Sequence, residues 1–124
     1  MKPTILLFQF SKPQSMKLMK AFMPLKLKIK NVHTEDILTP IGTLAGIKDM
    51  KTLDSTEESQ ELSDPMIVFA GLSNTHLDLA LAAVRKSGVG PVPYKAVLTP
   101  SNQSWTAHEL LEELKIEHEK MHQS

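Results

Sequence analysis

The chain has 124 residues, of which 41% are hydrophobic and 23% are charged, with no cysteine and a net charge of zero at pH 7. This length suits one domain, residues 1–124, with a sizeable core. The composition excludes wholesale disorder, and the lack of cysteine excludes disulfides and thiolate chemistry. The first apolar run, Thr4–Phe10, is too short to span a bilayer. We therefore expect a cytoplasmic protein with no membrane partner.

Charge is distributed unevenly along the chain. Residues 1–51 contain nine lysines and three acids, residues 52–65 contain five acids and no base, and residues 66–124 contain six acids and five bases. Such segregation occurs in nucleic-acid-binding proteins, but it also lets one part of a fold, or a second copy, attract another. The lysine-rich segment 12–30 has no arginine and a single aromatic residue. It therefore lacks the side chain that makes bidentate hydrogen bonds to phosphate and has one ring on which a base could stack. This composition argues against nucleic-acid binding through the lysine-rich first half, which stays as a further alternative.

Four segments predict β-strands. Two are nearly unbroken apolar runs, as expected for central strands that are buried on both faces: Thr4–Phe10 and Met66–Leu72. In Leu25–Lys30, leucine or isoleucine alternates with lysine, which predicts an edge strand with one wet face. The fourth strand, Tyr94–Leu98, follows a cluster of glycine and proline at 88–93.

Four helices are predicted from a capping residue followed by apolar positions at helical spacing. The capping residues are Ser15, Thr39, Thr75 with Asp78, and Thr106 with Glu109. The apolar face of the first helix comprises Met19, Phe22 and Met23, and Pro24 ends that helix. Gly88 stands where the third helix should end.

These elements predict an α+β, two-layer fold with a four-stranded sheet. Residues 1–34 form a first βαβ unit, residues 35–64 a short helix and an acidic flexible loop, and residues 65–124 a second βαβ unit plus a C-terminal helix. The two units resemble each other weakly, which favours a ferredoxin-like pair of βαβ units. The alternative is a small α/β parallel sheet with helices on both faces.

The second unit resembles a bacterial domain family of unknown function over about residues 64–122. The resemblance lies in Asp64-Pro-Met-Ile-Val-Phe-Ala-Gly-Leu and in the later pattern of Thr99-Pro100, Asn102, Trp105-Thr106 and Glu117-His118. It implies a bacterial protein and assigns no activity, cofactor or site residue. The first unit lies outside the resemblance.

The turn between the last strand and the last helix is the main candidate site. Short polar side chains and the single tryptophan stand there beside backbone N–H groups at a helix N-terminus, where an anion or an acidic partner group could dock. The candidate ligand-binding residues are Thr99, Ser101, Asn102, Ser104 and Trp105. The turn has no glycine, so a phosphate loop is not indicated, and the same residues could simply form the turn and the helix cap.

The sequence His118-Glu-Lys-Met-His122 matches the zinc-protease spacing of two histidines one helical turn apart. Only two residues follow His122, so no third ligand comes downstream, and a helix end frays. These two histidines are weak metal candidates, and we expect no metal or other cofactor.

Two classes of function remain. We favour a small binding or regulatory module that engages a small anion or a protein partner through the Thr99–Trp105 turn, the lysine-bearing edge strand, or both. A homodimer through an edge strand is one form of this hypothesis. The alternative is an enzyme or enzyme subunit of unknown reaction that uses the same turn. Catalytic residues are not identifiable from the sequence.

Overall fold

The fold is built around two apolar strands that are buried on both faces. The computed structural model describes residues 2–33, 36–37, 39–47 and 61–122. Every residue of Thr4–Phe8 (β1) and Met66–Ala70 (β3) is buried, which explains their unbroken apolar sequences. The elements follow in the order β1, α1 (Lys12–Phe22), a short 3-10 turn (Met23–Leu25), β2 (Lys28–Val32), α2 (Ile41–Leu44), β3, α3 (Asn74–Lys86), β4 (Lys95–Val97) and α4 (Ala107–His122).

The four strands form one mixed sheet in the order β2-β1-β3-β4. The pairs β1–β2 and β3–β4 are parallel, whereas β1–β3 is antiparallel. The predicted four-stranded α+β sheet is confirmed, but its ferredoxin-like order is not found. A ferredoxin-like sheet places a strand of one unit between the two strands of the other. Here each unit keeps its strands side by side, and the units meet through their first strands.

Helices cover both faces of the sheet. Ile5 and Leu7 of β1 face a cluster that includes residues of α1 and α3, whereas Leu6 and Phe8 face a cluster that includes residues of α2 and α4. The sheet with α1 and α3 gives the predicted two layers, and α2 and α4 add cover on the opposite face. The helices on both faces agree with the alternative prediction, although the sheet is not all parallel.

The predicted caps of α1 and α3 are wrong by a few residues. The residue that caps α1 is Ser11, whose hydroxyl accepts from the Gln14 N–H at 3.3 Å, and Ser15 lies buried inside the helix. The cap of α3 is Ser73, not Thr75. Each serine stands directly before the first residue of its helix, where its hydroxyl accepts from a free backbone N–H, and α1 also has a proline in its first turn.

The remaining helix predictions have mixed outcomes. The N-cap of α2 is Pro40, with no side-chain capping bond, so the predicted Thr39 cap is wrong. Gly88 does follow the end of α3, with a φ of 86° that favours glycine. Residues 54–60 of the predicted acidic loop lie outside the described residues.

The exposed face of α1 carries methionine and lysine. Met19 and Met23 were predicted to be buried, but they are 39% and 71% exposed, and Leu18 takes the buried position beside Phe22. Met16 is also exposed, so Leu18 and Phe22 form the buried apolar face of this helix and the methionines lie outside it. Residues 2–33 contain no Asp or Glu, so every acidic or basic residue that this segment places on the surface is basic.

The two βαβ units are related by a pseudo-twofold axis at the centre of the sheet. The capping residues Ser11 and Ser73 are 62 positions apart, and so are Leu6 and Val68, which are direct partners in the antiparallel β1–β3 pair. The same interval separates Gln9 and Gly71, which both have positive φ, 62° and 73°. A left-handed residue therefore ends the first strand of each unit and turns the chain into a serine-capped helix.

Candidate functional site

The candidate site is built on β4, the last strand of the sheet. The Tyr94 carbonyl accepts from the Ile67 N–H at 3.1 Å, and the Leu98 N–H donates to the Phe69 carbonyl at 2.9 Å. Backbone groups alternate in direction along a strand, so the groups between these two bonds that point away from β3 are the N–H and C=O of Lys95 and the N–H and C=O of Val97. These backbone groups form the outer edge of β4.

Asn102 closes this outer edge at its C-terminal end. Its Oδ1 accepts from the Thr99 N–H at 2.8 Å, and its Nδ2 donates to the Val97 carbonyl at 3.1 Å. The side-chain amide therefore takes the place that a peptide group of a neighbouring strand would occupy. Asn102 is 8% exposed, which agrees with a structural role of this side chain.

The rest of the turn supports α2. The Trp105 carbonyl accepts from the Ile41 N–H at 2.9 Å, and the Gln103 carbonyl accepts from the Gly42 N–H at 2.8 Å. These bonds satisfy donors at the start of α2, which has no side-chain cap. Trp105 itself is half-buried and packs against the core cluster beneath α4.

The N-terminus of α4 is capped by its own residues. Thr106 Oγ1 accepts from the Glu109 N–H at 3.3 Å, and Glu109 Oε1 accepts from the Thr106 N–H at 3.2 Å. This reciprocal pair is the predicted capping box. The Glu109 carboxylate thus occupies the helix end where an anionic ligand was expected. The geometry at this helix end therefore does not favour the predicted anion site.

An open groove of about 360 Å³ runs between β4 and α4, and we call it the acidic groove. Its lining includes four of the five predicted ligand residues, Thr99, Ser101, Asn102 and Trp105, whereas Ser104 is exposed and is not part of this lining. Glu113 and Glu117 of α4 also line it. They are one helical turn apart and both exposed, so they place two carboxylates on this side of the strand.

A second groove, of about 300 Å³, lies on the other side of β4 against α3, and we call it the basic groove. Leu81 and Val84 give it an apolar wall, and Arg85 and Lys95 give it two cationic groups. The Lys95 ammonium donates to the Val92 carbonyl. Desolvation, and then the positive charge of Arg85, lowers the pKa of Lys95 below its ordinary value.

The two grooves make this edge asymmetric in charge. Ala96 packs on the core cluster beneath α4, and successive side chains of a strand alternate between faces, so the side chains of Lys95 and Val97 are directed to the α3 side. Both residues also line the acidic groove, because they form the edge of the strand between the two grooves. Glu113 and Glu117 therefore line the groove on one side of β4 and Arg85 lines the groove on the other, whereas Lys95 stands between them and lines both. Sequence reasoning missed Arg85, Lys95, Glu113 and Glu117. The i, i+4 spacing of the two glutamates was a usable signal.

The histidine motif contributes no described metal centre. The ring of His118 lies edge-on to Tyr94, with ring centroids 5.7 Å apart, and so contacts the end of β4. Among the residues that the structure describes, no group of three His, Cys, Asp or Glu side chains could hold a metal ion. No helix within those same ranges is long and apolar enough to cross a membrane.

The molecule is an α+β protein whose mixed four-stranded sheet carries two grooves along one edge. Residues 65–121 match the family model described as a domain of unknown function, DUF3783. The resemblance of the second unit to an uncharacterised family is thereby confirmed in these terms. No curated protein and no solved structure matches the chain. The matched residues span β3, α3, β4 and nearly all of α4, so they contain both grooves, whereas the lysine-rich first unit lies outside the match.

Proposed function

We propose that this protein is a protein-interaction module that receives an extended segment of another protein as an added strand beside β4. The observation that carries the proposal is the outer edge of β4, with backbone groups of Lys95 and Val97 directed away from the sheet between two open grooves. Strand addition uses such backbone groups for affinity and flanking pockets for specificity. As part of this proposal, the protein works in the bacterial cytoplasm, which suits a chain without cysteine.

The short length of the edge limits the strength of binding. The outward groups available to an added strand are three, on Lys95 and Val97, because Asn102 already occupies the Val97 carbonyl and the Thr99 N–H. Each added hydrogen bond contributes about 0.5–1.5 kcal/mol net. Backbone pairing alone therefore gives a weak complex, and side chains that enter the two grooves must supply the rest of the affinity. This suits a transient or regulatory contact.

The alternatives have less support. A small anion at the Thr99–Trp105 turn would compete with Glu109 for the capped end of α4. An enzyme that used this turn would have to act without the Asn102 amide, which is engaged on both of its polar atoms. The hydrogen bonds of the turn therefore favour a structural role, in which it shapes the end of the binding edge.

The proposal is tested by removing one outward N–H. A Val97→Pro change deletes the N–H that faces the edge and retains the bonds between β3 and β4, since proline is tolerated on edge strands at outward positions. Val97→Thr is the matched control, because it changes the side chain and keeps the N–H. Both variants and the wild type are screened against a displayed library of random linear peptides.

We expect wild type and Val97→Thr to select the same peptides, and Val97→Pro to lose them. On binding, the amide protons of Lys95 and Val97 should gain protection from exchange and shift in ¹H–¹⁵N spectra. Far-UV circular dichroism verifies that Val97→Pro is folded. Selected peptides that bind the proline variant equally well, or that shift amides only elsewhere on the molecule, would overturn the proposal.

A further inference from the structure

We infer that the segment bound at β4 has alternating charge, with a basic side chain directed into the acidic groove and a neighbouring acidic side chain directed into the basic groove. The inference rests on the proposed strand addition and adds the chemistry of the partner. It follows from the different charges on the two sides of one short strand.

The acidic groove selects for a cation. Glu113 and Glu117 are exposed on successive turns of α4. Together with Trp105 they line the acidic groove, which has a volume of about 360 Å³. An arginine or lysine has an aliphatic stem that can pack along the half-buried indole while its charged head meets the carboxylates. A glutamate or aspartate in this position would meet two like charges.

The basic groove selects for a carboxylate. Arg85 and Lys95 both line this groove, and none of the described residues that line it is acidic. Two neighbouring cations repel each other, and Lys95 is partly desolvated, so a carboxylate between them would relieve both costs. The Leu81 and Val84 wall would cover the methylene groups of a glutamate.

Strand geometry joins these two preferences. Adjacent side chains of an added strand point to opposite faces, so a basic residue and its acidic neighbour enter the two grooves together. The charges also argue against a symmetric dimer. An antiparallel pair of two β4 strands related by a twofold axis would bring Glu113 and Glu117 towards the same residues of the second copy, and Arg85 towards its own counterpart. The partner is therefore a different protein.

The test uses two peptides of identical composition. One carries the alternating core Lys-Glu-Lys-Glu-Lys and the other the block core Lys-Lys-Lys-Glu-Glu, each flanked by threonines. Binding is measured by titration in ¹H–¹⁵N spectra at low salt, for wild type, for Glu113→Gln with Glu117→Gln, and for Arg85→Gln. These residues are exposed, so the variants should fold, and thermal unfolding verifies this.

We expect the alternating peptide to bind wild type at least fivefold more tightly than the block peptide. Either groove variant should weaken the alternating peptide roughly fivefold, the loss of about 1 kcal/mol that an exposed charge pair contributes. Bound alternating peptide should also raise the pKa of Lys95, whereas a version with glutamine in place of glutamate should not.

The outcomes separate the two proposals. Library peptides that depend on the Val97 N–H but show no alternation of charge would overturn this inference and leave strand addition in place. If no peptide depends on Val97, both proposals fail. Sedimentation that shows a wild-type dimer dissociated by Val97→Pro would overturn the conclusion that the partner is a different protein, and would identify the occupant as a second copy.

Discussion

Replacing Asn102 by alanine should destabilise the protein by removing the group that closes the edge of β4. The Asn102 amide makes two hydrogen bonds to backbone, at 2.8 Å to the Thr99 N–H and at 3.1 Å to the Val97 carbonyl. Two such bonds contribute about 1–3 kcal/mol together. Thr99 is exposed and Val97 is 45% exposed, so water can replace part of the loss. We therefore expect the free energy of unfolding to fall by about 1–2 kcal/mol.

The assay is urea unfolding followed by the fluorescence of the single tryptophan and by far-UV circular dichroism. At this chain length the expected loss lowers the midpoint of thermal unfolding by roughly 4–8 °C. Ser101→Ala is the matched control, because it alters an exposed residue of the same turn and should change the free energy by less than about 0.5 kcal/mol. Equal stabilities of the two variants would refute the structural role of the Asn102 amide.

Asn102→Asp gives a sharper version of the same test. The carboxylate keeps an acceptor for the Thr99 N–H, but it loses the donor to the Val97 carbonyl and places a negative charge beside that oxygen. Near pH 7 the aspartate variant should be at least as unstable as the alanine variant. A protonated carboxyl can donate, so the difference between wild type and the aspartate variant should narrow towards pH 4. A difference that does not change with pH would contradict this account.

Further predictions concern the core, the basic groove and the lysine-rich unit. Phe22→Ala should lower the free energy of unfolding by about 3–5 kcal/mol, because the ring is fully buried, and denaturant unfolding measures it. Arg85→Gln should raise the pKa of Lys95 towards 10.5 in a ¹³C-detected titration, and an unchanged pKa would contradict the contribution of Arg85. In wild type the charged form of Lys95 is disfavoured by folding, so its contribution to stability rises as pH increases through the lowered pKa to 10.5. Duplex DNA should show no retained complex at about 0.15 M salt by fluorescence anisotropy, because segment 12–30 offers lysine without arginine; tight retention would revive that hypothesis.

Periodicity predicted the two central strands and one edge strand, but not which outer strand lies beside which central strand. The apolar runs around Leu6 and Val68 place β1 and β3 in the middle, and this is true of both the ferredoxin-like order and the observed one. The two orders differ only in the neighbour of each central strand. That choice depends on the path of each crossover over the sheet, which leaves no periodic trace in the sequence.

The same limit applies to the candidate site. The sequence showed that the residues around Asn102 form a polar turn before a helix, and most of the predicted residues do line one groove. It did not show that the Asn102 amide is bound to the strand before it, or that Arg85 and Glu113 come from different helices to opposite sides of β4. The polar character of a short segment can be predicted from the sequence. The placement of distant charged residues on opposite sides of one strand can be known only from the fold.

The antiparallel contact between β1 and β3 is a seam between two units, of which only the second matches a family model. Every residue of Met66–Ala70 is buried, and β1 covers one whole side of this strand. A second unit that stood alone would lay that side bare, as an apolar strand open to any matching chain. In this protein β1 of the first unit covers that side of β3 within the same chain. A second unit without the first would need a strand from another molecule to cover it.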